Sequence, residues 1–458
     1  MTMAAATLAL VAPPVALSQP IAVPATAQPA LAQDNLSSST VAFVDVTVVP
    51  MDRRVELPNH TVLVRDGVID RVGPSAEIEI PDDARPIDGR GRWLAPGLVD
   101  THVHLFSSWD LHLYLANGVT TIVNLGGYGA ADSILHIRRE IEEGRVSGPT
   151  IYTSGNWLDG EPAVRPFNTV LRTEREARAE VRRQDRAGFD FLKVYATLER
   201  HVYAAILDEA ERVGIPVTGH IPARVGVQAV LEGNQSWIAH AAGIALRTVG
   251  PNAGNDELRR LAERVREADV TVTTTLWMTE LALRQRTGPA AIADVASRPE
   301  MRYLPPGRRA AWRDDNMYAS YPGISASEAE ARIAFARRWL DVLSSFDVPL
   351  LAGTDADVAG SVPGFAMHEE LRVLTEAGLT PYRALRTATT DAGAYLGSIL
   401  GEQPPFGTIE PGARADLVLL DADPLKDVSS LRRPAGVMVR GEWLDDGELE
   451  NMLGDAAR

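Results

Sequence analysis

The segment Leu98–Leu105 reads Leu-Val-Asp-Thr-His-Val-His-Leu, and the rest of the chain is best read outward from it. Two histidines, His102 and His104, close an apolar run two residues apart. On a β-strand, residues i and i+2 project from the same face. Both imidazoles can therefore aim at one point, as two ligands of one metal ion must. Two unrelated surface histidines in a loop would be spelled the same way, so the meaning of the pair rests on its company.

That company lies in an alternating pattern. Strand-like runs occur at Leu98–His102, Thr120–Asn124, Thr150–Thr153, Phe191–Tyr195, Val217–His220, Trp237–His240, Val270–Thr274 and Leu350–Thr354. Helical stretches fall between them, clearest at Thr173–Ala187, Val202–Val213, Asp256–Ala268 and Ala326–Phe346. Eight strands, each followed by a helix, is the count of a (β/α)8 TIM-type barrel, expected over residues 94–403. A doubly wound open sheet also alternates, but typically with fewer strands and a Gly-rich phosphate turn, which is missing here. Short strands broken by Asp-Gly and similar turns recur at Val41–Val49, Thr61–Val64 and Val68–Val72, and again at Asp416–Leu420 and Gly436–Leu444. They predict a small β-sandwich domain built from both chain ends, residues 36–93 and 404–458. Two separate hairpin domains are the alternative.

Bulk composition narrows the chemistry. The chain has 458 residues, 45% of them apolar, enough for one large domain plus a smaller one. A net charge of −16 argues against nucleic acid and anionic membrane surfaces as partners. With no cysteine, any metal must be held by nitrogen and oxygen ligands. Residues 1–35 are rich in Ala, Pro, Val and Leu, and the first basic residue of the chain is Arg53. Ala30-Leu31-Ala32 has the small-x-small form of a signal-peptidase site, although a basic start is missing and Pro13-Pro14 interrupts the run. The segment reads as a signal for a periplasmic or secreted protein, or else as a disordered tail on a cytoplasmic one. No later run reaches the roughly 18 apolar residues of a transmembrane helix.

Polar residues cluster at the strand ends. His102 and His104 close the first strand, Lys193 lies in the fourth, His220 and His240 close the fifth and sixth, and Asp355 follows the eighth. In a barrel of this kind the C-terminal strand ends converge on one site. Lys193 stands in the apolar run Phe191-Leu-Lys-Val-Tyr195, where a lone ammonium is costly to bury. Burial lowers a lysine pKa, and a neutral amine can add carbon dioxide to form a carbamate whose two oxygens can bridge two metals. An ordinary lysine paired with Asp355 is the alternative.

Taken together, these motifs resemble the amidohydrolase superfamily, in its imidazolonepropionase- and prolidase-like branch with a binuclear centre. The matching segments are Ala95-Pro-Gly-Leu-Val-Asp-Thr-His-Val-His104, Phe191-Leu-Lys-Val-Tyr195, Val217-Thr-Gly-His220, Ile238-Ala-His240 and Leu351-Ala-Gly-Thr-Asp355, with Met367-His-Glu-Glu-Leu371 and Gly412-Ala-Arg-Ala-Asp-Leu-Val-Leu419 downstream. The likeness runs from Thr40 to Leu444. It implies that His102, His104 and Asp355 hold one divalent ion, zinc by preference, and that His220 and His240 hold a second. Carboxylated Lys193 would bridge the two, and a metal-bridging hydroxide would be the nucleophile, with Asp355 passing its proton to the leaving group. One departure concerns substrate contacts. Many relatives carry Gly-Gly-His after the third strand, where this chain has Ser154-Gly-Asn-Trp-Leu-Asp-Gly160.

Tyr195, two residues after Lys193, shares its face and is a candidate for a developing oxyanion or a packed core tyrosine. The span from Leu276 to Gly323 is too long for a simple loop and is expected to cover the mouth with helices. Its aromatics and arginines (Trp277, Met278, Tyr303, Trp312, Tyr318, Tyr321, Arg302, Arg308, Arg309) are candidate substrate contacts or packing groups. Trp157, Arg165 and His368 join them as substrate candidates. The expected activity is hydrolysis of an amide bond in dipeptides or N-acyl amino acids. A cyclic-amide hydrolase of the imidazolonepropionase type, an ester, lactone or organophosphate hydrolase, and a metal-binding scaffold without turnover are the rivals. The filled Asp355 position speaks against the scaffold. Barrels of this family often pair, but no stretch here marks a homo-oligomer interface.

Overall fold

The computed structural model describes residues 40–127 and 131–456. The signal-like segment, residues 1–35, lies outside the described residues. The fold is mixed α/β. Its central strands are Leu98–Val103, Val119–Asn124, Thr150–Thr153, Leu192–Val194, Val217–Gly219, Trp237–Ile238, Thr271–Thr273 and Leu350–Leu351, referred to below as the first to eighth. All run parallel. The first three form one sheet, and the fourth to eighth form another together with two short strands, Leu158–Asp159 and Thr169–Val170, from the loop after the third. Isolated parallel bridges join Val103 to Ala356 and Ser154 to Phe191 across the two gaps between these sheets.

Glycine sets how closely neighbouring strands approach at the site. A Cβ on Gly353 would lie 2.8 Å from the His102 Cβ and 2.5 Å from a Thr273 methyl. Gly219, at φ +134°, would thrust one to 2.2 Å from the Val194 carbonyl oxygen. The glycines of the Leu351-Ala-Gly-Thr and Val217-Thr-Gly-His motifs are thus steric requirements of strands that must crowd together.

Helices follow the strands for ordinary reasons. Glu174–Ala187 starts with a capping box between Thr173 and Glu176 and stops at Gly188 in the left-handed region. Asn255–Glu267 buries Leu258, Leu261, Ala262 and Val265, one face at 3.6-residue spacing. Each fully buried leucine or valine contributes about 1.5–3 kcal/mol. Among the described residues no helix is long and apolar enough to cross a membrane.

Both chain ends enter one eight-stranded sheet, which removes the reading of two separate hairpin domains. Leu417–Leu420 pairs antiparallel with Trp93–Pro96, and Trp93–Pro96 pairs parallel with Val41–Val48. The expected insertion between the seventh and eighth strands is helical: Leu276–Gln285, Pro289–Ala296 and Pro306–Asp314, with single 3₁₀ turns between, precede the long Ala326–Ser345 helix.

Candidate metal centre

Six side chains from five strands meet at the strand ends. His102 Nε2 lies 3.1 Å, and His104 Nε2 2.9 Å, from Asp355 Oδ1. The ligand atoms of these three buried residues all fall within 4.8 Å of one another. Lys193 Nζ, fully buried, lies 3.3 Å from His102 Nε2. On the other side, His220 Nε2 and His240 Nε2 face each other at 3.1 Å, and the His240 ring lies 4.7 Å from that of His102.

Hydrogen bonds fix which imidazole nitrogens remain available. His104 Nδ1 sits 2.7 Å from the Gly126 carbonyl oxygen, which can only accept, so Nδ1 carries the hydrogen. The Nε2 of the same ring lies 2.9 Å from a carboxylate oxygen. Two acceptors so close need a proton or a cation between them. His240 Nδ1 is likewise engaged, 3.0 Å from Thr275 Oγ1, an arrangement that orients metal-binding imidazoles. His102 Nδ1 is buried without a hydrogen-bond partner among the described residues.

Protonation favours ligand forms. Burial, aided by the Lys193 charge, drives His102 well below the usual imidazole range. Burial does the same to His220 and brings His240 down to about 4. Burial lowers Lys193 to about 7, against the pull of Asp355. Burial also opposes ionisation of Asp355, but the charge of His102 and the hydrogen bonds of both His102 and His104 override it and hold this carboxyl well below its ordinary value. The cluster sets imidazoles that burial holds neutral (His102, His220 and His240) and a buried lysine around one carboxylate, a donor chemistry that fits divalent cations such as zinc.

The backbone at these strand ends is strained. His240, Thr275 and Asp355, which follow the sixth, seventh and eighth strands, adopt φ of 65°, 43° and 55°. Left-handed non-glycine residues cost of order 1–3 kcal/mol and gather at functional sites.

The other substrate candidates divide. Tyr195 stacks between Trp157 and His220, with ring centroids at 4.4 and 4.2 Å. Trp157 also meets the edge of His104 at 5.2 Å and donates its indole N–H to the Leu125 carbonyl. Burial raises the Tyr195 phenol well above its ordinary value, so it stays a hydrogen-bond donor. The positive charge of Arg165 acts on the hydroxyls of both Tyr195 and Tyr321, and Arg165 makes no ion pair among the described residues.

Trp277 and His368 are not brought to this cluster. Trp277 packs in the helix layer between Arg298 and Arg372, whose guanidinium carbons lie 4.7 and 5.7 Å from its ring. His368 is buried between helices, its Nε2 3.1 Å from Asn117 Oδ1. Both begin helices at the correct strand ends, but their side chains turn outward. Arg308, in the insertion, is already engaged by Asp110 and Asp357.

Several supporting residues carry no motif that would identify them. Buried Asp159 accepts from the N–H groups of Gly160, Val164 and Thr197, the Thr197 hydroxyl and the Asn168 amide. Asp100 accepts from the Thr354 hydroxyl at 2.6 Å and its N–H at 3.0 Å, tying the first strand to the eighth. Arg247, seven residues after His240, places a positive charge on both His220 and His240 and makes no ion pair among the described residues. Only Asp100 could have been noticed in advance, because it sits inside the opening motif.

The amidohydrolase family model matches residues 93–444. Ochratoxinase of Aspergillus niger is 22% identical over 448 residues, covering 83% of this chain and 81% of that protein. The structure of a bottromycin amidohydrolase matches with a TM-score of 0.70 at 27% identity, over 91% of this chain and 90% of its own. That of a prolidase-like protein from Bifidobacterium longum, described as a putative prolidase, matches with a TM-score of 0.67 at 26% identity, over 92% of this chain and all of its own.

Proposed function

The chain belongs to the amidohydrolase family, and we propose that it hydrolyses an amide bond of dipeptides or N-acyl amino acids using two divalent metal ions. The observation that carries this reading is the 2.9 Å approach of His104 Nε2 to Asp355 Oδ1 while His104 Nδ1 is committed to a carbonyl. His102, His104 and Asp355 would hold one ion, His220 and His240 the other, and Lys193 as its carbamate would reach both. When bound, such ions polarise the scissile carbonyl and lower the pKa of water.

The chain's own groups supply the rest. Asp355 takes the proton of the attacking water and returns it to the leaving nitrogen. Tyr195, kept protonated by burial, donates to the oxygen on which negative charge develops. Trp157 supplies an apolar wall, and Arg165 anchors a substrate carboxylate. The names of the putative prolidase and the bottromycin amidohydrolase support the choice of an amide bond.

The same reading takes the eight parallel strands as a closed (β/α)8 barrel, supported by the two bridges between the sheets. It takes the chain-end sheet as folded over into a sandwich, supported by the Phe43–Trp443 ring contact at 5.1 Å between strands far apart in the sheet order.

The test combines elemental analysis with a hydrolysis panel of dipeptides, N-acyl amino acids, cyclic amides and esters. About two metals per chain are expected, together with turnover of a carboxylate-bearing amide that Asp355→Asn abolishes. Metal-replete protein that cleaves nothing in the panel would refute the proposal.

A further inference from the structure

The inserted segment contributes one residue that reaches the loops carrying the metal ligands. Arg308 stands in the Pro306–Asp314 helix, outside the strand framework, yet its side chain is only 8% exposed. Its Nη1 lies 3.0 Å from Asp110 Oδ1 and 3.1 Å from Asp357 Oδ2, and both carboxylates are buried. Its guanidinium carbon lies 4.6 Å from the centre of the Phe106 ring.

The positions of these partners matter. Phe106 follows His104 by two residues, and Asp357 follows Asp355 by two. Asp110 opens the Asp110–Ala116 helix, and its second oxygen accepts the Ser107 N–H at 3.0 Å, which closes the loop after the first strand. The two loops are joined directly as well. The Asp355 N–H donates to the His102 carbonyl at 2.8 Å, and the His104 N–H donates to the Ala356 carbonyl. One guanidinium therefore spans the loop that follows His102 and His104 and the loop that follows Asp355. Without it, the two buried carboxyl groups would lose the donor that faces both of them, and the tie between the loops would be gone.

We infer that Arg308 is a positioning residue through which the inserted segment holds the His102–His104–Asp355 half of the centre in its metal-binding geometry. The inference rests on the two-metal reading above. It makes the insertion part of the metal centre as well as a cover for the substrate. A lysine replaces the arginine only in part: one nitrogen, Nη1, meets both carboxyl groups, but an ammonium lacks the planar guanidinium face that lies over the Phe106 ring.

The test uses the full chain loaded with zinc, in wild-type form and as Arg308→Lys, Arg308→Met and Asp110→Asn. Metal loss to excess dipicolinate is followed by elemental analysis, and melting midpoints are recorded with and without metal. Removing groups that orient metal ligands lowers affinity by about 10–100-fold. One of the two ions is therefore expected to leave about tenfold faster or more from Arg308→Met, with Arg308→Lys and Asp110→Asn in between. The gain in midpoint that zinc confers should shrink in the same order. If Arg308→Met does not fold, the other two variants carry the comparison. Unchanged release rates, with midpoints lowered equally in the presence and absence of metal, would overturn the inference and leave Arg308 as a purely structural tie. Wild-type protein that binds no metal would instead sink the two-metal reading on which the inference depends.

Discussion

Asp159 offers the most demanding check on how the substrate wall is built. Its two carboxylate oxygens accept five hydrogen bonds: Oδ1 from the Gly160 and Thr197 N–H groups and the Thr197 hydroxyl, Oδ2 from the Val164 N–H and the Asn168 amide. In Asp159→Asn an NH₂ must replace one oxygen. The better orientation places it at Oδ2 and forfeits two bonds, leaving N–H groups facing N–H groups. At about 1.5–3 kcal/mol per bond to a charged group, the loss is about 3–6 kcal/mol. The loop so weakened carries Trp157 and Arg165 and is tied to the segment after Tyr195, so it should open locally before the molecule unfolds. The assay is native-state amide exchange at bonds the carboxylate does not touch: Thr169 N–H to Trp157 O, Leu171 N–H to Asp159 O and Tyr195 N–H to Leu158 O. At 1.4 kcal/mol per decade, protection there should fall by about two orders of magnitude or more. KM should rise, while metal content stays at the wild-type value because Asp159 touches no ligand. Wild-type protection and KM in Asp159→Asn would refute the claim that this carboxylate holds the wall.

Three further outcomes can be checked directly. Lys193→Ala should lower metal content from about two ions per chain to about one, and wild-type loading should rise with added bicarbonate, read by elemental analysis and intact mass; indifference to both would exclude a carbamate bridge. Arg165→Gln should raise KM by about tenfold or more, the worth of one hydrogen bond to a charged group, and change kcat little, whereas substrates lacking a free carboxylate should not notice the change. Glu370 gives the pH dependence. Burial raises its carboxyl from an ordinary 4.5 to about 7 although the Thr274 hydroxyl and the Leu276 and Trp277 N–H groups donate to it. Between these values the unfolded chain ionises while the folded one stays protonated, so the folded protein binds more protons and stability falls as pH rises through that window. Glu370→Gln removes this contribution, so its stability relative to wild type should climb by about 3 kcal/mol across the window in urea titrations; a difference that does not vary with pH would show Glu370 ionised in the fold.

The clustering of the six proposed ligands was legible in the sequence for a specific reason. Strand periodicity fixes which residues share a face, and parallel strands in a repeating α/β pattern bring their C-terminal ends together, so His102, His104, Lys193, His220, His240 and Asp355 could be grouped from spacing alone. The same logic fails once the chain has entered the following helix. Trp277 and His368 both follow the correct strand ends, but each lies at the start of a helix, where a turn of about 100° per residue decides between the site and the outer layer. Nothing in the local sequence specifies that rotation. At Trp277 the helix start is tied to Glu370, 93 residues away, whose carboxyl oxygen accepts the Trp277 N–H at 2.7 Å.

The same distance rule separates the groups proposed to hold a metal from those that position them. Ligands announce themselves by chemistry at a strand end, whereas Asp159 reaches Thr197 across 38 residues and Arg308 reaches Asp110 across 198. A buried aspartate in a loop and an arginine in an insertion are each unremarkable as letters. Their roles appear only when the fold shows which opposite charge or donor they meet. An inserted segment would be expected to vary freely if it served only to shape a pocket. This one sends a guanidinium to the two loops that carry three of the proposed ligands, so its replacement should alter metal retention as well as substrate choice. A swap of residues 276–323 for a short linker would test that coupling at its strongest: loss of one ion or both from a chain that still folds would mark the insertion as part of the metal centre, and retention of both would confine it to the substrate side.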